Sequence, residues 1–228
     1  MIVTLHVWRV PRARVPVALW RMVAEPRRLR RMPAVRFVKL LGTARGGRFG
    51  PMLGDATRWA ALTVADTAPG FPEWDRIAIA ACRLDLRPLA SRGTWGGSRP
   101  FEGEPAGGTV STDGPVLALT RARLRPTRMP LFWRAIGPVA GTLTDAPGLL
   151  AAFGVGEAPL GWQGTVSVWR CAADLVRFAY RQPEHRRAIA RTAAVRWYAE
   201  ELFARFAVLD VHGDSEVIGW FGRKRPLG

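Results

Sequence analysis

Apolar and polar positions alternate along residues 2–10 and again along 116–125, the period of a half-buried β-strand. In the second stretch Ala118, Thr120, Ala122 and Leu124 share one face, and Leu119, Arg121, Arg123 and Arg125 share the other. Short apolar runs predict further strands at 35–41, 58–65, 81–87, 149–155 and 162–169, and one near 204–211. Helical spacing takes over at 15–31, 129–145 and 172–203, with a short helical turn around 72–80. Pro16 and Pro130 stand where a first helical turn tolerates a missing N–H.

The pattern occurs twice. At an offset of 114, Arg9 falls on Arg123, Arg14 on Arg128, Pro16 on Pro130, Pro33 on Pro147 and Gly42 on Gly156. Farther on, LTVAD (62–66) resembles VSVWR (166–170), Pro72-Glu73-Trp74 echoes Pro183-Glu184-His185, and Leu84-Asp85-Leu86 echoes Leu209-Asp210-Val211. Shared order gives these matches their weight. Each copy reads β-α-β-β-α-β, the split ferredoxin-like unit. Such a sheet has one face under helices and one bare apolar face, and two units in one chain can cover each other. The expected fold is therefore α+β: two tandem ferredoxin-like units whose antiparallel sheets pack as a fused dimeric α/β barrel. Expected boundaries are a first repeat at 1–90, a Gly/Pro-rich linker loop at 91–115, a second repeat at 116–212 and a tail at 213–228.

Composition narrows the classes. The 228 residues are 48% hydrophobic and 23% charged, too apolar for disorder, and no run of eighteen apolar residues exists to cross a membrane as a helix. The first residues read as a strand with early arginines, so no signal peptide is expected, and a cytoplasmic location follows. Two cysteines, Cys82 and Cys171, make neither a disulfide framework nor a four-ligand zinc site. The net charge of +16 raises nucleic acid as a partner, yet only Lys39 and Lys224 are lysines. Arginine-rich charge alongside abundant Ala, Gly and Pro reads as compositional bias, and no specific nucleic-acid partner is expected.

Several chemistries lack their motifs. The loop LGTARGGRFGPMLG has no Gly-Lys-Ser/Thr and joins two strands, so it reads as a hairpin. Neither Gly-x-Ser-x-Gly nor His-Glu-x-x-His occurs, and Glu200 and Glu201 are neighbours on a predicted helix, pointing apart. Of three histidines, His212 sits at a strand end beside Gly213 as a turn residue. His6 shares a strand face with Thr4 and Trp8, as a core histidine or, if that face lines a cavity, a ligand or proton donor. His185 opens a helical stretch after Pro183, with Ala188, Ile189 and Thr192 at its helical neighbours. A histidine against an apolar wall suits a single axial haem ligand, or it bonds a carbonyl in the core.

The second copy, from GPVLALTRARLRP through GVGEAPLGWQGTVSVWRCAADLVRFAYRQPEHRRAI to WYAEELFARFAV, resembles the spheroidene monooxygenase family. TRWAALTVAD and DLRPLASRGTWGGSRPF in the first copy look similar to it as well, so the likeness spans nearly the whole chain. More broadly the arrangement is similar to the antibiotic-biosynthesis-monooxygenase superfamily of dimeric α/β barrels. In its haem-binding branches, a helix histidine in the C-terminal part of the unit ligates iron. The resemblance implies a haem-dependent monooxygenase acting on a small, largely apolar molecule, with haem b as cofactor and an electron donor as partner. It makes His185 the metal ligand. Trp74 stands in the first copy where the second has His185, so one haem per chain is implied.

Arginines are natural partners for the haem propionates, and Arg177, Arg181, Arg186 and Arg92 are the candidates. Phe178, Trp197 and Phe203 are candidate porphyrin walls or plain core. Arg121 and His6 are the candidate distal catalytic groups. Three alternatives stand beside this reading: a haem lyase or nitrogen-oxide-processing enzyme on the same fold, like the aldoxime dehydratases; a cysteine-thiolate ligand at Cys171; and a non-enzymatic basic binding protein. Assembly as a homodimer is left open.

Overall fold

Val3, Leu5 and Val7 face one way along the first strand, and Thr4, His6 and Trp8 face the other; each set joins a different core. The computed structural model describes residues 1–44, 54–102, 114–125, 127, 143, 145–157, 162–181 and 198–221. Its elements are β1 (Ile2–Arg9), a 3-10 turn (Arg12–Arg14), α1 (Val15–Arg30), β2 (Val35–Ala44), β3 (Gly54–Ala65), α2 (Pro72–Asp75) and β4 (Ala80–Gly93). The second half supplies β5 (Val116–Leu124), β6 (Leu149–Gly156), β7 (Trp162–Trp169), α3 (Ala172–Arg181), β8 (Tyr198–Gly213) and a 3-10 turn (Ser215–Ile218). The helix expected over 129–145 lies almost wholly outside the described residues.

The strands form one closed barrel in the order β1-β3-β2-β6-β7-β5-β8-β4. Within it, β4-β1-β3-β2 and β8-β5-β7-β6 each have the ferredoxin-like order, so the chain is two such units fused. They join edge to edge. The β4–β8 seam runs from Cys82↔Gly213 to Gly93↔Leu202, while the β2–β6 seam is the short run Gly42↔Gly156, Thr43↔Val155 and Ala44↔Gly154. Closure pairs the exposed edge groups of both sheets and encloses both bare faces at once.

The lumen is filled by side chains. Leu62, Leu84, Leu117, Phe153, Val168 and Phe206 belong to its core, as an eight-stranded interior of this kind requires. At the far end of β4, residues 94–102 turn back and seat Trp95 and Phe101 in the lumen core; at the near end Val217, Ile218 and Trp220 do the same. The outside of the first half is covered by α1 and by the α2 region, through Ala18, Leu29, Phe71, Trp74 and Ile77.

Two elements differ from the sequence expectation. Residues 198–203, expected as the end of a long helix, begin β8, and α3 as described runs only from Ala172 to Arg181. Ala, Glu and Leu favour helix locally, but Leu202, Ala204 and Phe206 are buried at a period of two, and pairing on both sides outweighs a propensity difference of a few tenths of a kcal/mol per residue. Glu200 and Glu201 therefore point to opposite faces of a strand. Likewise β4 continues past 87 to Gly93, whose φ of 88° lets the backbone pass Glu201, where a Cβ would lie 2.1 Å from its carbonyl oxygen. No helix among the described residues is long and apolar enough to cross a membrane.

Candidate functional site

The outer faces of the two half-barrels differ in bulk. On the first, Trp8 pairs across to Trp59, His6 to Ala61 and Leu40, and Thr4 to Thr63 and Val38. Trp8 stacks on Trp74 with ring centroids 5.1 Å apart, Trp74 is fully buried, and Phe71 closes against His6 at 4.8 Å. The Trp8 indole donates to Asp75 Oδ1 at 2.8 Å, tying strand to helix. Aromatic rings thus fill the space between sheet and helices.

The second outer face carries small residues at the same places. At the offset of 114, Thr4, His6 and Trp8 correspond to Ala118, Thr120 and Ala122, while Val38 and Leu40 correspond to Ala152 and Gly154. The register confirms that these lie in rows: Ala118 opposite Ser167, Ser167 opposite Ala152, Thr120 opposite Thr165, and Thr165 opposite Gly154. Thr165 is 8% exposed, and its hydroxyl has no hydrogen-bond partner among the described residues. A buried hydroxyl without a partner is costly, and native structures keep few of them. Ser167, by contrast, accepts from the Trp169 indole at 2.9 Å.

Two residues proposed from sequence meet at the rim of this face. Phe203 lies opposite Thr120 on β8, and the Arg92 guanidinium sits 4.5 Å from its ring centroid. Phe178 packs on Trp169 at 5.1 Å, and Arg177 is held by Asp174 at 3.0 Å. Asp174 is 1% exposed and also binds Arg170. Arg181 ends α3, whereas His185, Arg186 and Trp197 lie outside the described residues. Among the described residues no group of three or more His, Cys, Asp or Glu side chains could hold a metal ion.

The structure does not bring Arg121 and His6 together. His6 faces the helix layer of the first half, stacked on Trp8 and against Phe71; burial, with help from Arg83, lowers its pKa from 6.5 to about 4. Arg121 faces the lumen, in line with Leu117 and Leu119.

There Arg121 centres a network that sequence reasoning missed. It donates to Glu157 from Nε at 3.2 Å and from Nη2 at 2.9 Å, and to Glu200 from Nη1. Lys39 and the Trp95 indole also donate to Glu157, at 2.7 and 2.6 Å. Glu200 accepts from the Thr94 hydroxyl and the Gly97 N–H. Burial alone would raise the Glu200 pKa, but the Gly97 N–H, Arg121, the Gly96 N–H and the Thr94 hydroxyl outweigh it and bring it to about 2. The network seals one barrel mouth by pinning the 94–102 segment across it. Its one sequence signal was a charged residue in line with apolar ones.

No protein-family model matches the chain. It is 34% identical over 223 residues to the spheroidene monooxygenase of Rhodobacter capsulatus, covering 93% of this chain and 89% of that protein. It is 37% identical over 202 residues to the spheroidene monooxygenase of Rubrivivax gelatinosus, covering 84% and 74%. Among solved structures an aldoxime dehydratase shares the fold, with a TM-score of 0.53 at 12% identity over 92% of this chain and 81% of that one. The relatives bear out the family resemblance carried by the second copy's motifs: the chain belongs to the spheroidene monooxygenase family and is an oxidoreductase of the monooxygenase type.

Proposed function

We propose that the chain is a haem-dependent monooxygenase, oxidising a small, largely apolar molecule over the outer face of its second half-barrel, with His185 as the ligand to iron. The observation that carries this reading is the contrast between the two outer faces. In the first half, Trp8 and Trp74 fill the space between sheet and helix. In the second, the corresponding residues are Ala122 and His185. At that place on the sheet a wide aromatic ring is absent, and in the sequence an imidazole able to bind a metal stands where the first copy has Trp74. The Thr165 hydroxyl is buried at that face without a partner among the described residues. Small apolar residues, one neutral nitrogen donor and a few hydroxyls suit a haem better than a hydrated metal ion.

Haem b, when bound, supplies the oxygen-activating redox chemistry. One atom of dioxygen enters the substrate, and the other leaves as water with two electrons from a donor and two protons. His185 would hold the iron through one ring nitrogen and give its other N–H to an acceptor that fixes the ring. Arg92, stacked on Phe203 at the rim, is a cation available to a propionate, and Arg177, Arg181 and Arg186 are the candidates from the helix side. Ala118, Thr120, Ala122 and Gly154 give a low floor that excludes water and accepts an apolar substrate. The Thr165 hydroxyl offers its proton to an acceptor atom of whatever binds above that floor.

The test is an absorption spectrum of the chain purified from haem-supplemented cells: oxidised, reduced, and reduced with carbon monoxide. A Soret band with a carbonyl-complex peak typical of histidine ligation, lost in His185→Ala, is expected. A colourless chain that also refuses added hemin would overturn the reading.

A further inference from the structure

Helix α1 is apolar on two sides. Its inner side buries Ala18 and Leu29 against the sheet. Its outer side exposes Leu19 at 53%, Trp20 at 66% and Val23 at 69%, an unusual cluster of large apolar side chains left open to solvent. At about 100° per residue, Pro16, Leu19, Trp20, Arg27 and Arg30 all fall within about 60° of Val23, whereas Ala18, Glu25 and Leu29 lie about 120° or more away. The exposed residues therefore form a single stripe down the helix.

Charge brackets that stripe. Arg12 and Arg14 precede it, and Arg27, Arg28, Arg30 and Arg31 follow it, all exposed. The one acid of the helix, Glu25, is 5% exposed and is taken by Arg28 and Arg21. Arg12, Arg14, Arg27, Arg30 and Arg31 pair with no carboxylate among the described residues. An uncompensated arginine rim around an exposed Trp, Leu and Val is complementary to a surface that is anionic outside and apolar beneath. Trp20 belongs at such a boundary, and the arginine stems can lie along apolar chains while their heads reach phosphate.

We propose that the outer face of α1 docks the protein on the surface of an anionic lipid bilayer. The contact lies on the first half-barrel and needs neither haem nor substrate. It sets the enzyme where a small, largely apolar molecule is concentrated.

The test is flotation of the full chain with vesicles of phosphatidylcholine alone, and of equal parts phosphatidylcholine and phosphatidylglycerol, at low and high salt. Binding to the anionic vesicles that weakens with salt is expected. Trp20→Glu with Val23→Glu, and separately Arg27→Glu with Arg30→Glu, should each weaken it by more than about tenfold. Circular dichroism should show both variants folded, since every substituted side chain is exposed. Absence of wild-type binding, or equal binding by the folded variants, overturns the proposal. So does light scattering that shows a wild-type dimer split by Trp20→Glu with Val23→Glu, which would make the stripe a contact between copies.

Discussion

Trp8 and Trp74 lie face to face, their rings 5.1 Å apart and 22° from parallel, and the residue that corresponds to Trp8 on the sheet of the other half-barrel is Ala122. Ala122→Trp should put the missing ring back. If the second face is open, the variant folds with a melting temperature close to wild type and takes up little hemin. Titration of the cofactor-free chain, read at the Soret band, measures this. If the space is already packed, the added ring costs about 1–3 kcal/mol instead. Wild-type loading by the variant would remove this face from the site.

Thr165 gives a second handle. Valine keeps its shape and removes a hydroxyl that has no partner among the described residues, so Thr165→Val should stabilise the cofactor-free chain by about 1 kcal/mol. In a chain of this length that raises the melting temperature by about 2–4 °C. In the loaded protein the same change should shift the carbonyl stretch of the carbon monoxide complex by removing a hydrogen-bond donor. A lower melting temperature with an unchanged stretch would mean that the hydroxyl serves the fold.

The barrel was legible because strand alternation and the shared order of Pro16, Gly42 and their counterparts depend on local chemistry. The two outer faces were legible only in part. His6 and Thr120 occupy corresponding rows, but nothing in a single strand tells which side meets the lumen and which the helices. Residues 198–203 misled because Ala, Glu and Leu favour helix until pairing on both edges is known. The Arg121 network was hidden for a different reason. Lys39, Trp95, Arg121, Glu157 and Glu200 come from separate segments, and only barrel closure brings them together. His185 was singled out by its place after Pro183 and by its correspondence with Trp74.

Arg121 should be costly to remove. Its side chain is 3% exposed between two carboxylates, so Arg121→Met leaves Glu200 without its cation and Glu157 held by Lys39 and the Trp95 indole. Destabilisation by about 3–5 kcal/mol is expected from urea unfolding. Adding Glu200→Gln should recover part of that loss by removing the stranded charge. Acid should act on the same contact. The folded Glu200 pKa of about 2 lies below the ordinary 4.5, so its contribution is complete above 4.5 and is lost as pH falls toward 2. A fully tolerated Arg121→Met would show that the mouth is held by Trp95 packing alone.

His6 should set the pH dependence in a higher window. Burial holds its folded pKa at about 4, while the unfolded chain titrates near 6.5. Between those values the unfolded state binds more protons, so stability rises with pH across the window and is level above it. At about 1.4 kcal/mol per pKa unit the full shift corresponds to about 3 kcal/mol, an upper bound because the ring is only partly enclosed. His6→Phe keeps a ring against Trp8 and Phe71 but has no proton to take up. Urea midpoints of the two chains should therefore keep a constant offset above about pH 6.5 and shift in favour of the variant as pH falls toward 4. Because Glu200 titrates below 4.5 in both proteins, its loss cancels in the difference, and curves that stay parallel from neutral pH to 4 would show that His6 is protonated as readily in the fold as outside it.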